Sequence, residues 1–217
     1  MSIARIIGIE RLRIATDGEG VTSLVGFHGC PLRCQYCLNP HSFAPNATTH
    51  TYTVDQLIKK VSIDQLYYLA TGGGICFGGG EPLLHSAFIA EFCERCPSEW
   101  FVSVETSLNV ATRHLEVVAP YVHQWIIDVK DMDPAIYERY TGQPNAQVLS
   151  NLRWLAEHVL AGLSPEVREK AFIVRLPLIP DHNTDADRDQ SEALLRSLGF
   201  THFDRFVYVK DAGAKKR

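Results

Sequence analysis

The chain of 217 residues is 46% hydrophobic and 21% charged, an ordinary composition for a globular protein that buries a sizeable core. Its formal net charge of −4 argues against the basic surface of a nucleic-acid-binding protein, so we expect no nucleic-acid partner. It contains no apolar run of about 18 residues and no signal-peptide pattern at residues 1–7, so we expect no membrane association and a cytoplasmic location.

Apolar, β-branched runs alternate with amphipathic stretches along the chain. The apolar runs predict strands at 3–14, 22–28, 75–78, 100–105, 124–129, 171–177 and 204–209. The amphipathic stretches predict helices near 54–69, 85–96, 111–120, 134–141, 145–161 and 185–198. Strands that alternate with helices form a parallel sheet, and a closed barrel of eight such units takes about 250 residues. We therefore expect one α/β domain over residues 1–217, an open or partial barrel of five or six units.

Capping signals mark the starts of two of these helices. Thr53 is followed three residues later by Gln56, which is the pattern of a capping box. Asp133 precedes Pro134, which places a capping acid before a proline at the first helical position. We expect helices to begin just after Thr53 and Asp133.

Three of the six cysteines lie together in the segment 28–41, directly after a predicted strand. Cys30, Cys34 and Cys37 have the spacing C-x3-C-x2-C. Under reducing conditions, clustered cysteines favour metal binding or catalysis over disulfides. Thiolates are the usual ligands of iron–sulfur clusters, and three of them leave one iron of a four-iron core open for catalysis. The motif therefore predicts an iron–sulfur site.

Other uses of the cysteines stay open at this stage. A structural zinc site with His28 or His41 as the fourth ligand is the main alternative, although no second C-x2-C pair lies at a matching distance. Cys93 and Cys96 form a C-x2-C pair on a predicted helix, and Cys76 lies in a predicted strand. We interpret these three as small buried apolar residues, with a second cluster as the alternative.

The cysteine motif resembles the signature of the radical S-adenosylmethionine (SAM) superfamily, C-x3-C-x-aromatic-C, with Tyr36 at the aromatic position. Further segments similar to this family, and to its glycyl-radical-enzyme activating branch, follow in the same order between about residues 5 and 200. They are Asp17-Gly18-Glu19-Gly20, Gly78-Gly79-Gly80-Glu81-Pro82, Asp128-Val129-Lys130, Tyr140-Thr141-Gly142 and Arg175-Leu176-Pro177.

This resemblance implies a partial (β/α)6 TIM-like barrel of the radical SAM type, with SAM lying across the strand C-termini. It implies a [4Fe-4S] cluster held by Cys30, Cys34 and Cys37, and an oxidoreductase that cleaves SAM reductively to a 5′-deoxyadenosyl radical. In the activating branch the substrate is a glycyl radical enzyme, which receives its radical under anaerobic conditions. A flavodoxin- or ferredoxin-type protein is the electron donor that the resemblance suggests.

The SAM-binding residues are also implied by the resemblance. Gly79 and Gly80 permit close backbone approach, and with Glu81 they accept hydrogen bonds from the SAM ammonium, unless the segment is a plain tight turn. Asp128 and Lys130 alternate along a strand and share a face, which suits the SAM ribose and carboxylate, or an internal salt bridge.

Five further residues carry weaker expectations. Arg175 is a second candidate for the SAM carboxylate, or a structural ion pair that closes the barrel. Tyr36 lies near the adenine or packs in the core, and Glu105 and Thr106 lie near the methionine end of SAM. Asn145 shapes the pocket or caps the helix that follows it.

The sequence departs from the activating branch near its last predicted strand. Activases carry a SAM-contacting histidine there, whereas the aligned stretch 206–210 reads Phe-Val-Tyr-Val-Lys. The sequence ends at Arg217, so we expect the C-terminal extension of the branch to be short or absent, and the basic end 214–217 to be a solvated tail. The alternatives are a small-molecule radical SAM enzyme similar to 7-carboxy-7-deazaguanine synthase, a peptide-modifying maturase, and a non-catalytic zinc-binding module.

Overall fold

The computed structural model describes residues 2–14 and 16–208, whose centre is one eight-stranded sheet. Three predictions concern residues outside this range: the end of the last strand at 209, position 210 of the stretch 206–210, and the solvated tail 214–217. The strands are β1 (Ile3–Ile14), β2 (Val21–Phe27), β3 (His50–Thr53), β4 (Gly74–Gly79), β5 (Phe101–Thr106), β6 (Gln124–Asp128), β7 (Phe172–Leu178) and β8 (Phe203–Val207). The helices are α1 (Val54–Val61), α2 (Gln65–Thr71), α3 (Ser86–Arg95), α4 (Arg113–Val118), α5 (Pro134–Thr141), α6 (Ala146–His158), α7 (Pro165–Ala171) and α8 (Asp185–Ser197).

The sheet has the strand order β3-β1-β2-β4-β5-β6-β7-β8. From β2 to β8 every neighbouring pair in this order is parallel. Parallel neighbours need crossover connections, and the helices supply them. β1 runs antiparallel to β2, and β3 runs antiparallel to β1, so these two strands extend one edge. The prediction of an α/β domain with five or six units in an open or partial barrel is confirmed, and the parallel part of the sheet has six strands.

Strand β4 shows how the inner parallel strands divide their side chains between two faces. Ile75 and Phe77 of β4 are fully buried on the helix side, where Phe77 meets the ring of Phe92 edge-on at 5.2 Å. The alternate residues of the strands face the barrel interior. There the Ser103 hydroxyl donates a hydrogen bond to the carbonyl of Asp17 in the loop between β1 and β2. Polar side chains such as Ser103 thus lie on the interior side of the sheet, and apolar side chains pack against the helices on the other side.

The predicted helix 54–69 is interrupted in the structure. A 3₁₀ turn at Ser62–Asp64 separates α1 from α2. Arg11 of β1 donates to both carboxylate oxygens of the fully buried Asp64, at 2.7 and 2.6 Å. This tertiary ion pair pulls the turn towards the sheet, and an amphipathic pattern does not encode it.

Both predicted capping arrangements form. The Thr53 hydroxyl accepts from the backbone N–H of Gln56, whose side chain accepts from the backbone N–H of Thr53. Asp133 accepts from the backbone N–H groups of Ala135 and Ile136. The four-residue edge strand β3 and the short helix α7 had no predicted counterpart. No helix in the described part of the chain has the length and apolar character needed to cross a lipid bilayer.

Candidate cofactor site

An open cleft with a volume of about 130 Å³ lies at the C-terminal ends of the parallel strands. All the site residues predicted from the sequence line it except Tyr36 and Arg175. The lining residues of the prediction are Cys30, Cys34, Cys37, Gly79, Gly80, Glu81, Glu105, Thr106, Asp128 and Lys130. Residues from separate strand ends therefore meet in one place, at the position where α/β sheets bind ligands.

Cys30, Cys34 and Cys37 are partly buried free thiols on one side of this cleft. Burial raises the pKa of Cys30 to about 12 and the pKa of Cys34 to about 11. A bound metal is what stabilises such thiols as thiolates. Among the described residues, no group of three or more His, Cys, Asp or Glu side chains is arranged to hold a metal ion. Three thiols around a cleft have the donor chemistry of an iron–sulfur core.

The C-terminal end of α5 supports the cysteine loop (residues 28–41). The backbone N–H of Arg33 donates to the carbonyl of Thr141 at 2.8 Å, and that of Gln35 donates to the carbonyl of Tyr140 at 3.2 Å. Carbonyls in the last turn of a helix have no partner within the helix, so they are available for such bonds. Gly142 ends the helix with a left-handed φ of 74°. The Tyr-Thr-Gly segment thus binds the two residues that flank Cys34. Its sequence alone did not reveal this role.

The glycine turn after β4 packs directly against the start of the cysteine loop. The backbone N–H of Gly80 donates to Phe27 and that of Glu81 donates to Gly29, at 3.0 and 2.7 Å. A Cβ atom at Gly80 would lie 2.3 Å from the carbonyl oxygen of Gly29. At Gly79, φ is +86° and a Cβ would lie 2.6 Å from the Cα of Gly26. These glycines are therefore required by backbone packing around the cleft.

Glu81 is a buried carboxylate with four hydrogen-bond donors. It accepts from the hydroxyls of Thr106 and Ser107 at 2.6 Å each, and from the backbone N–H groups of Ser107 and Leu83 at 3.0 and 3.3 Å. Burial raises the pKa of Glu81 despite these bonds. No ion pair to Glu81 occurs among the described residues. Glu81 therefore joins the end of β4 to the end of β5 and has neutral donors but no counter-ion.

Asp128 and Lys130 form an ion pair at the end of β6. Although burial by itself lowers the pKa of Lys130, the charges of Asp128 and Cys34 outweigh this effect and the pKa is raised. The second carboxylate oxygen, Oδ1 of Asp128, is buried and accepts no hydrogen bond from the residues that the structure describes. A buried acceptor without a donor indicates a missing ligand group. The ion pair and the ligand role predicted for these residues are therefore compatible.

Arg175 lies outside the lining of the cleft. Its guanidinium pairs with Glu105 and donates to the carbonyl of Thr16 at 2.7 Å. Arg175 therefore forms a structural ion pair, one of its two predicted roles. Asn145 likewise makes no side-chain cap to α6; its amide donates to the carbonyl of Met132 at 2.8 Å.

Tyr36 packs in an aromatic group next to the cleft. Its ring centroid lies 6.1 Å from that of Tyr140 and 6.4 Å from that of Tyr208. Tyr208, directly after β8, does line the cleft, and burial raises its pKa to about 12. It belongs to the stretch in which the expected histidine is missing, and the sequence offered no signal for its position.

Cys76 is buried as predicted, whereas Cys93 and Cys96 are partly exposed.

Comparisons with known proteins bear on this site. Residues 24–185 match the model of the Radical SAM superfamily. The chain is 28% identical to the (2S)-3-sulfopropanediol dehydratase activating enzyme of Klebsiella oxytoca, over 89% of this chain and 78% of that protein. It is 29% identical to the pyruvate formate-lyase-activating enzyme of Staphylococcus aureus, over 79% of this chain and 67% of that protein.

A solved structure shows the same fold. Coproporphyrinogen III oxidase from Escherichia coli, described as a radical SAM enzyme, superposes with a TM-score of 0.58 at 15% identity, covering 90% of this chain. The chain spans 46% of that protein's length. Because the family model covers most of the sequence, including the cysteine loop and the strand ends that line the cleft, the chain belongs to the radical SAM superfamily.

Proposed function

We propose that Cys30, Cys34 and Cys37 hold a [4Fe-4S] cluster, and that the chain uses SAM to install a glycyl radical on a partner enzyme. The observation that carries this proposal is the convergence of the three thiols with the Asp128–Lys130 pair on one cleft. When bound together, the cluster and SAM supply a 5′-deoxyadenosyl radical, the agent that removes a hydrogen atom from the substrate. The cofactors carry this chemistry, and the protein contributes binding and orientation.

Three features of the cleft suit the polar groups of SAM. The Oδ1 atom of Asp128 has no donor among the described residues and can accept a hydrogen bond from a ribose hydroxyl. Lys130, held beside it, offers ammonium donors to a carboxylate. Glu81 places a buried carboxyl group without a counter-ion in the wall, and the ammonium group of a ligand would supply that counter-ion. The apolar side chains of Leu24 and Leu32 also line the cleft and offer an apolar surface to a ligand.

The activating function is supported by the relatives and by particular segments. The two curated relatives reported above are both named as activating enzymes. The Tyr-Thr-Gly segment, which the sequence analysis compared with such enzymes, supports the cysteine loop directly. We therefore propose a glycyl radical enzyme as the protein substrate and a flavodoxin- or ferredoxin-type protein as the electron donor.

Anaerobic reconstitution tests the cofactor chemistry. The wild-type chain loaded with iron and sulfide is expected to carry about four irons per chain. After reduction it should convert SAM into 5′-deoxyadenosine, which is measured by chromatography. Cys37→Ala should lose both properties, because it removes a cluster ligand. Cys93→Ala is the matched control, since Cys93 lies on α3 away from the cleft, and it should retain both. Purification with zinc and no iron, or equal cleavage by Cys37→Ala, would refute the assignment.

A second assay tests the choice of substrate. The reduced, SAM-loaded chain is mixed with a purified glycyl radical enzyme whose gene adjoins its own, and the mixture is frozen for EPR spectroscopy. A glycyl doublet that requires SAM and Cys37 is the expected result. If active preparations cleave SAM but leave every such candidate without a radical, the chain acts on a different substrate.

A further inference from the structure

A second cavity, which the proposed function does not use, lies at the opposite end of the sheet from the cleft. Its volume is about 850 Å³, within the range of about 300–1,000 Å³ that is usual for small-molecule sites. Val21 at the start of β2, Gln124 at the start of β6 and Ile173 near the start of β7 line it. We call this space the basal cavity, because it lies at the N-terminal ends of the parallel strands.

Three exposed carboxylates line the basal cavity. They belong to Glu19 in the loop between β1 and β2 and to Glu166 and Glu169 on α7. None of the three forms an ion pair with a residue that the structure describes. Against their charges, the described lining contains one lysine, Lys170, and one histidine, His202. The basal cavity therefore presents an excess of negative charge to a ligand.

A buried acceptor lies at the same cavity. Gln124 is 3% exposed, and its Nε2 donates to the carbonyl of Lys170 at 2.7 Å, which fixes the orientation of the amide. Its Oε1 accepts no hydrogen bond from the described residues. A Cβ at Gly18, another lining residue, would lie 3.3 Å from this oxygen, and the nearby hydroxyl of Ser103 already donates to Asp17. A buried acceptor without a donor indicates a missing partner, in addition to the unpaired carboxylates.

The remaining lining of the basal cavity is largely apolar. Ile14, Val21 and Ile173 contribute aliphatic side chains, and Ile14 is 71% exposed. Methylene groups of a ligand can cover such a surface while its charged ends stay at polar groups, as the stems of lysine side chains do. A linear aliphatic polyamine combines methylene groups, two or more positive charges and N–H donors in one molecule. Each of these features has a counterpart in the cavity.

We propose that the basal cavity binds a linear aliphatic polyamine. Its methylene groups lie against the isoleucines, its ammonium groups pair with Glu166 and Glu169, and one N–H donates to Oε1 of Gln124. An inorganic cation lacks the apolar part and an aliphatic alcohol lacks the charge, so neither matches the whole lining. None of the residues proposed to hold the cluster or SAM lines the basal cavity, so this inference is independent of the proposed function.

Isothermal titration calorimetry of the reconstituted full chain with spermidine at low ionic strength tests the proposal. Saturable binding to one site per chain is expected. Glu166→Gln/Glu169→Gln removes two exposed carboxylates and should raise the Kd about tenfold. Glu116→Gln/Glu157→Gln is the matched control, because it changes the net charge equally at exposed positions of α4 and α6 that do not line the cavity. It should keep the wild-type Kd.

A second pair of variants tests the location of the site. Ile14→Arg places a positive charge in the exposed apolar wall and should also raise the Kd for spermidine. Leu66→Arg is its control, since Leu66 is an 80% exposed apolar residue of α2 that does not line the cavity. It should bind spermidine as the wild type does.

Three results would overturn the inference. One is a wild-type titration that shows only heat of dilution. Another is equal Kd values for the wild type and both cavity variants, because attraction by the net charge of the protein would then explain the binding. The third is binding of Mg²⁺ or of uncharged octane-1,8-diol as tightly as spermidine, because one feature of the ligand would then suffice. A chain that binds spermidine but no iron instead refutes the proposed function and leaves this inference intact.

Discussion

Replacement of Gly80 by alanine tests how tightly the glycine turn and the cysteine loop are packed. The added Cβ would lie 2.3 Å from the carbonyl oxygen of Gly29 and 2.7 Å from that of Phe27. Both contacts are to backbone, so relief requires movement of the end of β2 or of the cysteine loop. Overpacking of this kind costs about 1–3 kcal/mol, and the two simultaneous backbone contacts place Gly80→Ala near the upper limit, at about 3 kcal/mol. For a chain of this length, that corresponds to a fall in Tm of about 6–12 °C.

The assay compares denaturant unfolding and iron content of Gly80→Ala with those of Gly162→Ala. A Cβ at Gly162 meets no atom within 4 Å, so this control should unfold like the wild type and load iron fully. Gly80→Ala should be both less stable and poorer in iron, because the displaced loop carries the thiols. If Gly80→Ala has the stability and iron content of the wild type, the glycine turn and the cysteine loop can move apart with no loss of free energy of unfolding. That result would refute the packing argument.

Two further predictions concern charge. Asp128→Asn removes one partner of the largely buried ion pair and leaves Lys130 uncompensated, so we expect a loss of about 3 kcal/mol in the free energy of unfolding, the lower end for a buried pair because Asp128 is partly exposed. SAM affinity, measured by calorimetry, should fall as well, and unchanged affinity would show that Asp128 does not bind SAM. The second prediction is a pH dependence of the metal-free protein. Because burial raises the pKa of Cys30 to about 12 and of Cys34 to about 11, the folded state holds these protons more firmly than the unfolded state. Stability is therefore greatest below pH 9 and declines as the pH rises towards 11. A Cys30→Ser/Cys34→Ser double variant should lose less stability between pH 8 and pH 10 than the wild type, and an identical loss in both would assign the effect to other groups.

Local patterns predicted most of the secondary structure and missed the elements that depend on tertiary contacts. Strand β4 and helix α5 begin and end within a residue of their predicted bounds, since a buried strand and a Pro-initiated helix carry their signals within their own residues. The turn between α1 and α2 contains Asp64, whose partner Arg11 lies 53 residues away along the chain. No periodicity in residues 54–69 contains that information.

The same division applies to the candidate site. The spacing of Cys30, Cys34 and Cys37 is confined to one loop, so the sequence by itself predicted the three thiols as metal ligands and an iron–sulfur site, with zinc as the open alternative. The partners of charged residues were left as alternatives, because they are chosen by contacts between strands.

Only the tertiary structure decided that Arg175 pairs with Glu105, that Glu81 joins β4 to β5, and that Tyr208 reaches the cleft. Short-range spacing along a chain specifies which atoms a loop can present. The partners those atoms find depend on which strand ends the sheet brings together, and in this protein the parallel order of β2 and β4 to β8 sets that arrangement.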